Sequence, residues 1–199
     1  MHDGGEGTRR WQQAGRPIVP SLVAGEVTTP ILHVSQLAAA LGLRAPPAQD
    51  ATRAAWETLP VLRSWLDHLR GLDGRLLTEP TASRGRSLRN LTVNVFHPFE
   101  LLPEAWESLG FPWEPERDDE REALLETPAD VTRYAERILA GWTGFVLRHT
   151  DELGRRDPVI ASPRGKTGFA ALLASQREHA LFHHEQLVAF LSAHGLLSS

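Results

Sequence analysis

The chain has 199 residues, 41% of them hydrophobic, with no cysteine and a formal net charge of −4, a length that suits one compact domain or one domain with a small appendage. The missing cysteines exclude structural disulfides, thiolate zinc sites, iron–sulfur clusters and any nucleophilic or redox thiol belonging to the chain itself. With 21 basic against 25 acidic residues, and Lys166 the sole lysine, there is no positive field of the kind that drives non-specific nucleic-acid binding, so no nucleic-acid partner is expected.

The opening Met1-His2-Asp3-Gly4-Gly5-Glu6 lacks the basic and apolar regions of a signal peptide. No run approaches the ~20 apolar residues needed to span a bilayer. A soluble cytoplasmic protein without a membrane partner is the expectation. Residues 1–16 are Gly-rich and without periodicity, and read as a loose terminus. Residues 17–49 read as a small appendage and linker. Within it, 17–24 and 27–32 look like two short strands about the turn Gly25-Glu26, with Pro20 and Pro30 limiting the pairing to edges. Ser35 then caps a short helix through Leu37, Ala38 and Leu41 that Gly42 closes.

From Asp50 to the end the texture is helical. The first helix spans about 50–72, with Ala55, Leu59, Leu62, Leu66 and Leu69 in one stripe and Pro60 expected to kink it. A second, about 87–109, carries Leu88, Leu91, Val95, Phe99 and Leu102, interrupted by Pro98 and Pro103. A third opens at Thr127 with Pro128 and Asp130, close to a capping box, and buries Val131, Tyr134, Ile138, Trp142, Phe145 and Val146. The fourth, about 167–193, holds Phe169, Leu172, Leu173, Leu187, Phe190 and Leu191. Four amphipathic helices of this length predict a mainly α protein built as a four-helix bundle. Between the second and third lies an acidic loop with an aromatic tip, Gly110 to Glu120; a loop of that length is often either functional or merely mobile, and the mobile reading is preferred.

Chemistry concentrates in histidine. Continuing the inward stripe of the fourth helix from Phe169 through Gln176 gives His179, His183 and Leu187, whereas His184 is rotated by ~100° from His183. Two imidazoles four residues apart reach one metal ion, although such pairs also arise in ordinary helices as satisfied core or surface residues. His97 on the second helix is the best third ligand. On an ideal helix it lies opposite the Leu88/Val95/Phe99 stripe, but Pro98 disturbs that geometry.

One histidine on the second helix, followed about eighty residues later by His-x-x-x-His that opens the string His183-His184-Glu185-Gln186-Leu187, resembles the DinB/YfiT-like metal-binding bundles. That family includes bacterial thiol S-transferases and mycothiol-dependent maleylpyruvate isomerases. The resemblance covers 50–199 and implies an up-down-down-up four-helix bundle with His97, His179 and His183 as the metal triad. The family commonly has Arg-Gly where this chain has His184-Glu185, so its arginine has no counterpart here. More faintly, Val19-Pro20-Ser21-Leu22-Val23 with the second strand and the helix around 37–41 looks like the C-terminal half of a glutaredoxin-like fold, in which that proline is often cis.

The resemblance implies a divalent metal, zinc or nickel with iron as an alternative, and a small-molecule substrate. Three neutral imidazoles would leave the ion its full charge and open positions, lowering the pKa of a bound water or thiol. In a chain without cysteine, any thiol must be a low-molecular-weight co-substrate, which implies an S-transferase or isomerase. Alternatives are a metal-dependent hydrolase or lyase, and a non-catalytic metal- or ligand-binding or assembly bundle; a homodimer is left open. Asn94 and Gln176 are the candidate partners that orient the imidazoles. Arg89, Glu100, Tyr134 and Trp142 are candidate pocket residues.

Overall fold

A computed structural model describes residues 21–24, 27–30, 41–42, 50–81, 85–113, 118–163 and 165–197. The expected terminus at 1–16, the short helix before Leu41 and the linker at 43–49 lie outside the described residues. The two expected N-terminal strands are present. Strand β1 (Ser21–Ala24) pairs antiparallel with β2 (Val27–Pro30), in register Leu22 to Thr29 and Val23 to Thr28, and Pro30 takes the last position of the ladder.

The remainder is mainly helical. Helix α1 (Ala51–Leu69) begins where the Asp50 carboxylate accepts the Arg53 N–H at 2.9 Å. It runs through Pro60, whose side chain is exposed, as one helix. The chain turns at Gly71, where φ is +79°, into the short α2 (Gly74–Thr78). Helix α3 (Leu88–Ser108) is capped by the Ser87 hydroxyl, which accepts from Asn90 N–H, and passes through Pro98 and Pro103. Helix α5 (Pro128–Leu153), which follows the short α4 (Asp118–Glu122), starts with the capping box expected at Thr127 and Asp130. Helix α6 (Phe169–Ala193) completes the chain.

One element that helical periodicity does not reveal precedes α6. An antiparallel hairpin joins β3 (Val159–Ser162) to β4 (Gly165–Gly168), so Thr167, expected in the last helix, belongs to a strand. Gly168 caps α6 without a side chain; instead Asp157 Oδ1 accepts the Ala170 N–H at 2.8 Å. A Cβ on Gly168 would collide with the Asp157 carboxylate, which explains glycine at that position. Strand β3 also bonds to the end of α3: Ala161 accepts from Phe111 N–H at 2.7 Å and donates to Leu109 carbonyl at 2.9 Å. This anchors the segment that leads towards α4.

The long helices pack so that α1 lies against α5 and α6, and α3 lies against the same two. Their inward stripes supply the core, including Trp65, Phe96, Phe99, Trp106, Trp142, Phe145 and Phe169. Two buried indoles find partners that join pairs of helices: Trp65 Nε1 donates to Thr92 Oγ1 at 3.2 Å and Trp142 Nε1 to Thr58 Oγ1 at 2.7 Å. Among the described residues no helix is long and apolar enough to cross a membrane.

Candidate functional site

Helix α3 is buried all round from Asn90 to Phe99, which an amphipathic helix with one solvated face would not be. Its apolar stripe joins the core. On another face Ser87, Asn90, Asn94 and His97 follow one another at steps of three and four, and form a polar row. This row is covered by α4, which runs in the opposite direction along it. Asp118 meets Asn94 and His97, Asp119 accepts from Asn90 Nδ2 at 2.8 Å, and Glu122 accepts from Ser87 Oγ at 2.5 Å, Asn90 Nδ2 at 2.7 Å and Arg89 Nε at 3.2 Å. Arg89 also donates to the Leu125 carbonyl at 3.1 Å. Burial pushes the Glu122 carboxyl up, but the bonds from Ser87, Asn90 and Arg89 together outweigh it and hold the group below its usual value.

The end of the acidic loop, from Asp118, is therefore a short helix packed on α3. Asp118 has no exposed surface at all, and its two oxygens are both used: Oδ1 accepts from His97 Nδ1 at 2.8 Å and Oδ2 from Asn94 Nδ2 at 2.7 Å. A carboxylate can only accept, so the proton of a neutral His97 resides on Nδ1 and the lone pair on Nε2.

Pro98 has a second role. It has no N–H, so the carbonyl one turn back, that of Asn94, lacks its usual helical donor. That carbonyl accepts from His179 Nε2 on α6 at 3.3 Å. Asn94 thus touches both histidine-bearing helices, with its amide on the Asp118–His97 pair and its carbonyl on His179. His183 Nδ1 donates to Gln186 Oε1 at 2.7 Å, and the rings of His179 and His183 stand 4.5 Å apart, edge to face. Trp113, delivered by the segment that β3 anchors, packs edge-on against His179 at 5.4 Å.

The expected ligands thus sit on two packed helices, with His97 and His183 buried and His179 half-buried. His184 is rotated away, as the helical phase requires, yet it is not solvated. It bonds to Ser64 Oγ at 2.9 Å and lies beside Trp65 and His68 of α1, where burial and the His68 charge push it down. Asn94 donates its amide to Asp118 and offers its backbone carbonyl to His179. Gln176 is buried, and both its Oε1 and Asn94 Oδ1 are sealed carbonyl oxygens without a donor among the described residues. Of the pocket candidates, Arg89 holds α4, Glu100 pairs with Arg121 and Arg137, and Tyr134 borders a separate cleft. Trp142, a stripe residue, is fully buried between Phe99, Phe145 and Thr58.

Imidazole nitrogen is a donor type that divalent ions accept. Each of the three imidazoles has one nitrogen committed to an oxygen, which orients the ring and fixes its tautomer, as with the outer partners of metal-bound histidines. Among the described residues, however, no three His, Asp or Glu side chains are placed to hold a metal ion together. No family model matches the chain, and neither a curated protein nor a solved structure matches it.

Proposed function

We propose that the four long helices form an up-down-down-up bundle of the DinB type and that His97, His179 and His183 hold a divalent ion, zinc or nickel before iron. The observation that carries this reading is the buried Asp118 carboxylate on His97 Nδ1, together with the Asn94 carbonyl on His179. A buried carboxylate is retained only where something needs it, because it must be fully hydrogen-bonded to offset its desolvation. Orienting an imidazole as a ligand is such a need.

The reaction we infer is transfer or isomerisation that uses a low-molecular-weight thiol as co-substrate, in a cytoplasmic setting where such thiols stay reduced. The ion, when bound, supplies positive charge that favours the thiolate over the thiol. The chain itself orients the imidazoles through Asp118, Asn94 and Gln186, and provides in Asn94 Oδ1 and Gln176 Oε1 two buried acceptors for a donor arriving at the site. Trp113 beside His179 keeps that side of the site apolar.

Thermal-shift measurements with zinc, nickel and EDTA on the wild type and on His183→Ala test the ligand assignment. A metal-dependent rise in Tm that His183→Ala abolishes is expected; no shift in the wild type with either ion would refute it. Glutathione-, mycothiol- and bacillithiol-type thiols, each offered with monochlorobimane, test the reaction. Conjugation by the metal-loaded protein above the rate of free thiol is expected, and background rates for every thiol would exclude the transferase reading.

A further inference from the structure

A cleft separate from the histidines opens between α4 and α5. It encloses about 350 Å³ and is bordered by Arg121, Leu124, Asp130, Arg133, Tyr134 and Arg137, a volume within the range of small-molecule sites. Three guanidiniums meet here. Glu100 bridges two of them, Oε1 to Arg137 Nη1 at 2.7 Å and Oε2 to Arg121 Nη1 at 2.8 Å, while Arg133 pairs with Asp130. Three guanidiniums and a single carboxylate, that of Asp130, thus line the cleft itself. Each guanidinium has five N–H groups in a planar fork, most of them not taken up by these pairs.

The wall between the arginines is apolar. Tyr134 lays its ring along the cleft, with the Arg137 guanidinium 5.6 Å from the ring centroid. Leu124 leaves 78% of its surface in water at the mouth, the most exposed large apolar side chain among the described residues. Tyr134 is itself only 7% exposed, and its phenolic oxygen is sealed without an acceptor among the described residues. Burial first, and then the charge of Glu100, push that phenol up, so it stays protonated and remains a donor. A buried donor that lacks an acceptor marks a place where a polar group of a ligand would be its first partner.

We propose that this cleft binds a small carboxylate with a planar apolar body, its anion on the outer N–H groups of Arg121, Arg133 and Arg137 and its body between Leu124 and the Tyr134 ring. Guanidinium forks match the planar, two-oxygen geometry of a carboxylate. The apolar wall selects against inorganic anions, which are too strongly hydrated to gain from it. The site stands on its own geometry and is independent of whether the histidines hold a metal.

Fluorine NMR of 4-fluorobenzoate titrated with the full chain tests this. Line broadening that unlabelled benzoate reverses, with no response of 4-fluorobenzamide and no competition by equimolar inorganic phosphate, is expected. Arg133→Gln, a change at a mostly exposed side chain paired with Asp130, should weaken binding by about tenfold, and the Arg133→Gln/Arg137→Gln pair by about a hundredfold or more, on the scale of one charge-assisted bond each. Tyr134→Phe should weaken it by a smaller factor while retaining the apolar stack. Absence of broadening, equal binding of the amide, displacement by phosphate, or unchanged affinity in Arg133→Gln would each overturn the proposal. The single Arg133→Gln variant decides the matter even if the double variant is unfolded.

Discussion

Replacing Asp118 by alanine removes the acceptor of two buried hydrogen bonds, at 2.7 and 2.8 Å. Hydrogen bonds to a charged partner contribute roughly 1.5–3 kcal/mol each. Part of this is returned because the carboxylate no longer has to be desolvated. The two donors fare differently. His97 can shift its proton to Nε2, whereas the Asn94 amide, 1% exposed, loses its acceptor and cannot turn to bulk water instead. A net loss of about 2–4 kcal/mol is expected, which for a chain of this size lowers Tm by roughly 5–15 °C. Urea titration at neutral pH measures it, and Asp118→Asn, which retains one acceptor oxygen, should lose about half as much. Because the group is sealed from solvent, the loss should not change with salt. The histidine chemistry is read separately: nitrogen-15 spectra should show His97 protonated on Nδ1 in the wild type and a mixture of tautomers in the variant. If zinc binds, its affinity should fall by about 10–100-fold. A stability loss below about 0.5 kcal/mol, or a wild-type His97 with its proton on Nε2, would refute the argument that α4 is held in place to orient this ring.

Lowering the pH tests the other end of α4. The Glu122 carboxyl is held below its ordinary 4.5, so its contribution is complete above about that pH and is lost as pH falls through the folded-state value. Glu122→Gln should therefore flatten the acid limb of a stability–pH curve below about pH 4.5, and an unchanged limb would argue against the network with Ser87, Asn90 and Arg89. Pro98→Ala restores an N–H opposite the Asn94 carbonyl, which should displace His179 Nε2 and shift the His179 nitrogen-15 resonances, with stability unchanged or raised by about 1 kcal/mol; unaltered His179 signals would contradict the assigned bond. Trp142→Ala empties a fully buried site and frees the Thr58 hydroxyl, at an expected cost of about 3–5 kcal/mol in urea titration, without altering metal-dependent Tm shifts if Trp142 is core alone.

Much of the helical scaffold is legible from local rules. Capping is a matter of neighbours in the chain, so Asp50, Ser87 and the Thr127–Asp130 box mark three of the long helices by residue type. Periodicity likewise places Leu62, Leu91, Val131, Phe145 and Leu187 inside, because one helical face must be buried for the helix to persist. The start of α6 escapes these rules for a physical reason: its cap comes from Asp157, across a hairpin whose strands are too short for alternation to show.

The histidine site is only half legible. The phase of α6 puts His179 and His183 on one face, since their spacing of four is a property of the helix alone. His97 lies out of phase with the apolar stripe of α3, which by itself counts against a buried role. The tertiary structure reverses the meaning of that phase: α3 is buried on a second, polar face, and Asp118, Asp119 and Glu122 form the cover. The polar spacing Ser87, Asn90, Asn94, His97 is present in the sequence, as is the acidic run, but nothing local says that one lies on the other. Sequence alone determined which residue types could act as acid, base or ligand, because the chain has imidazoles and carboxylates and no thiols. Which carboxylate meets which imidazole was decided by packing, because a buried charge is tolerated only where a distant part of the chain supplies its hydrogen bonds.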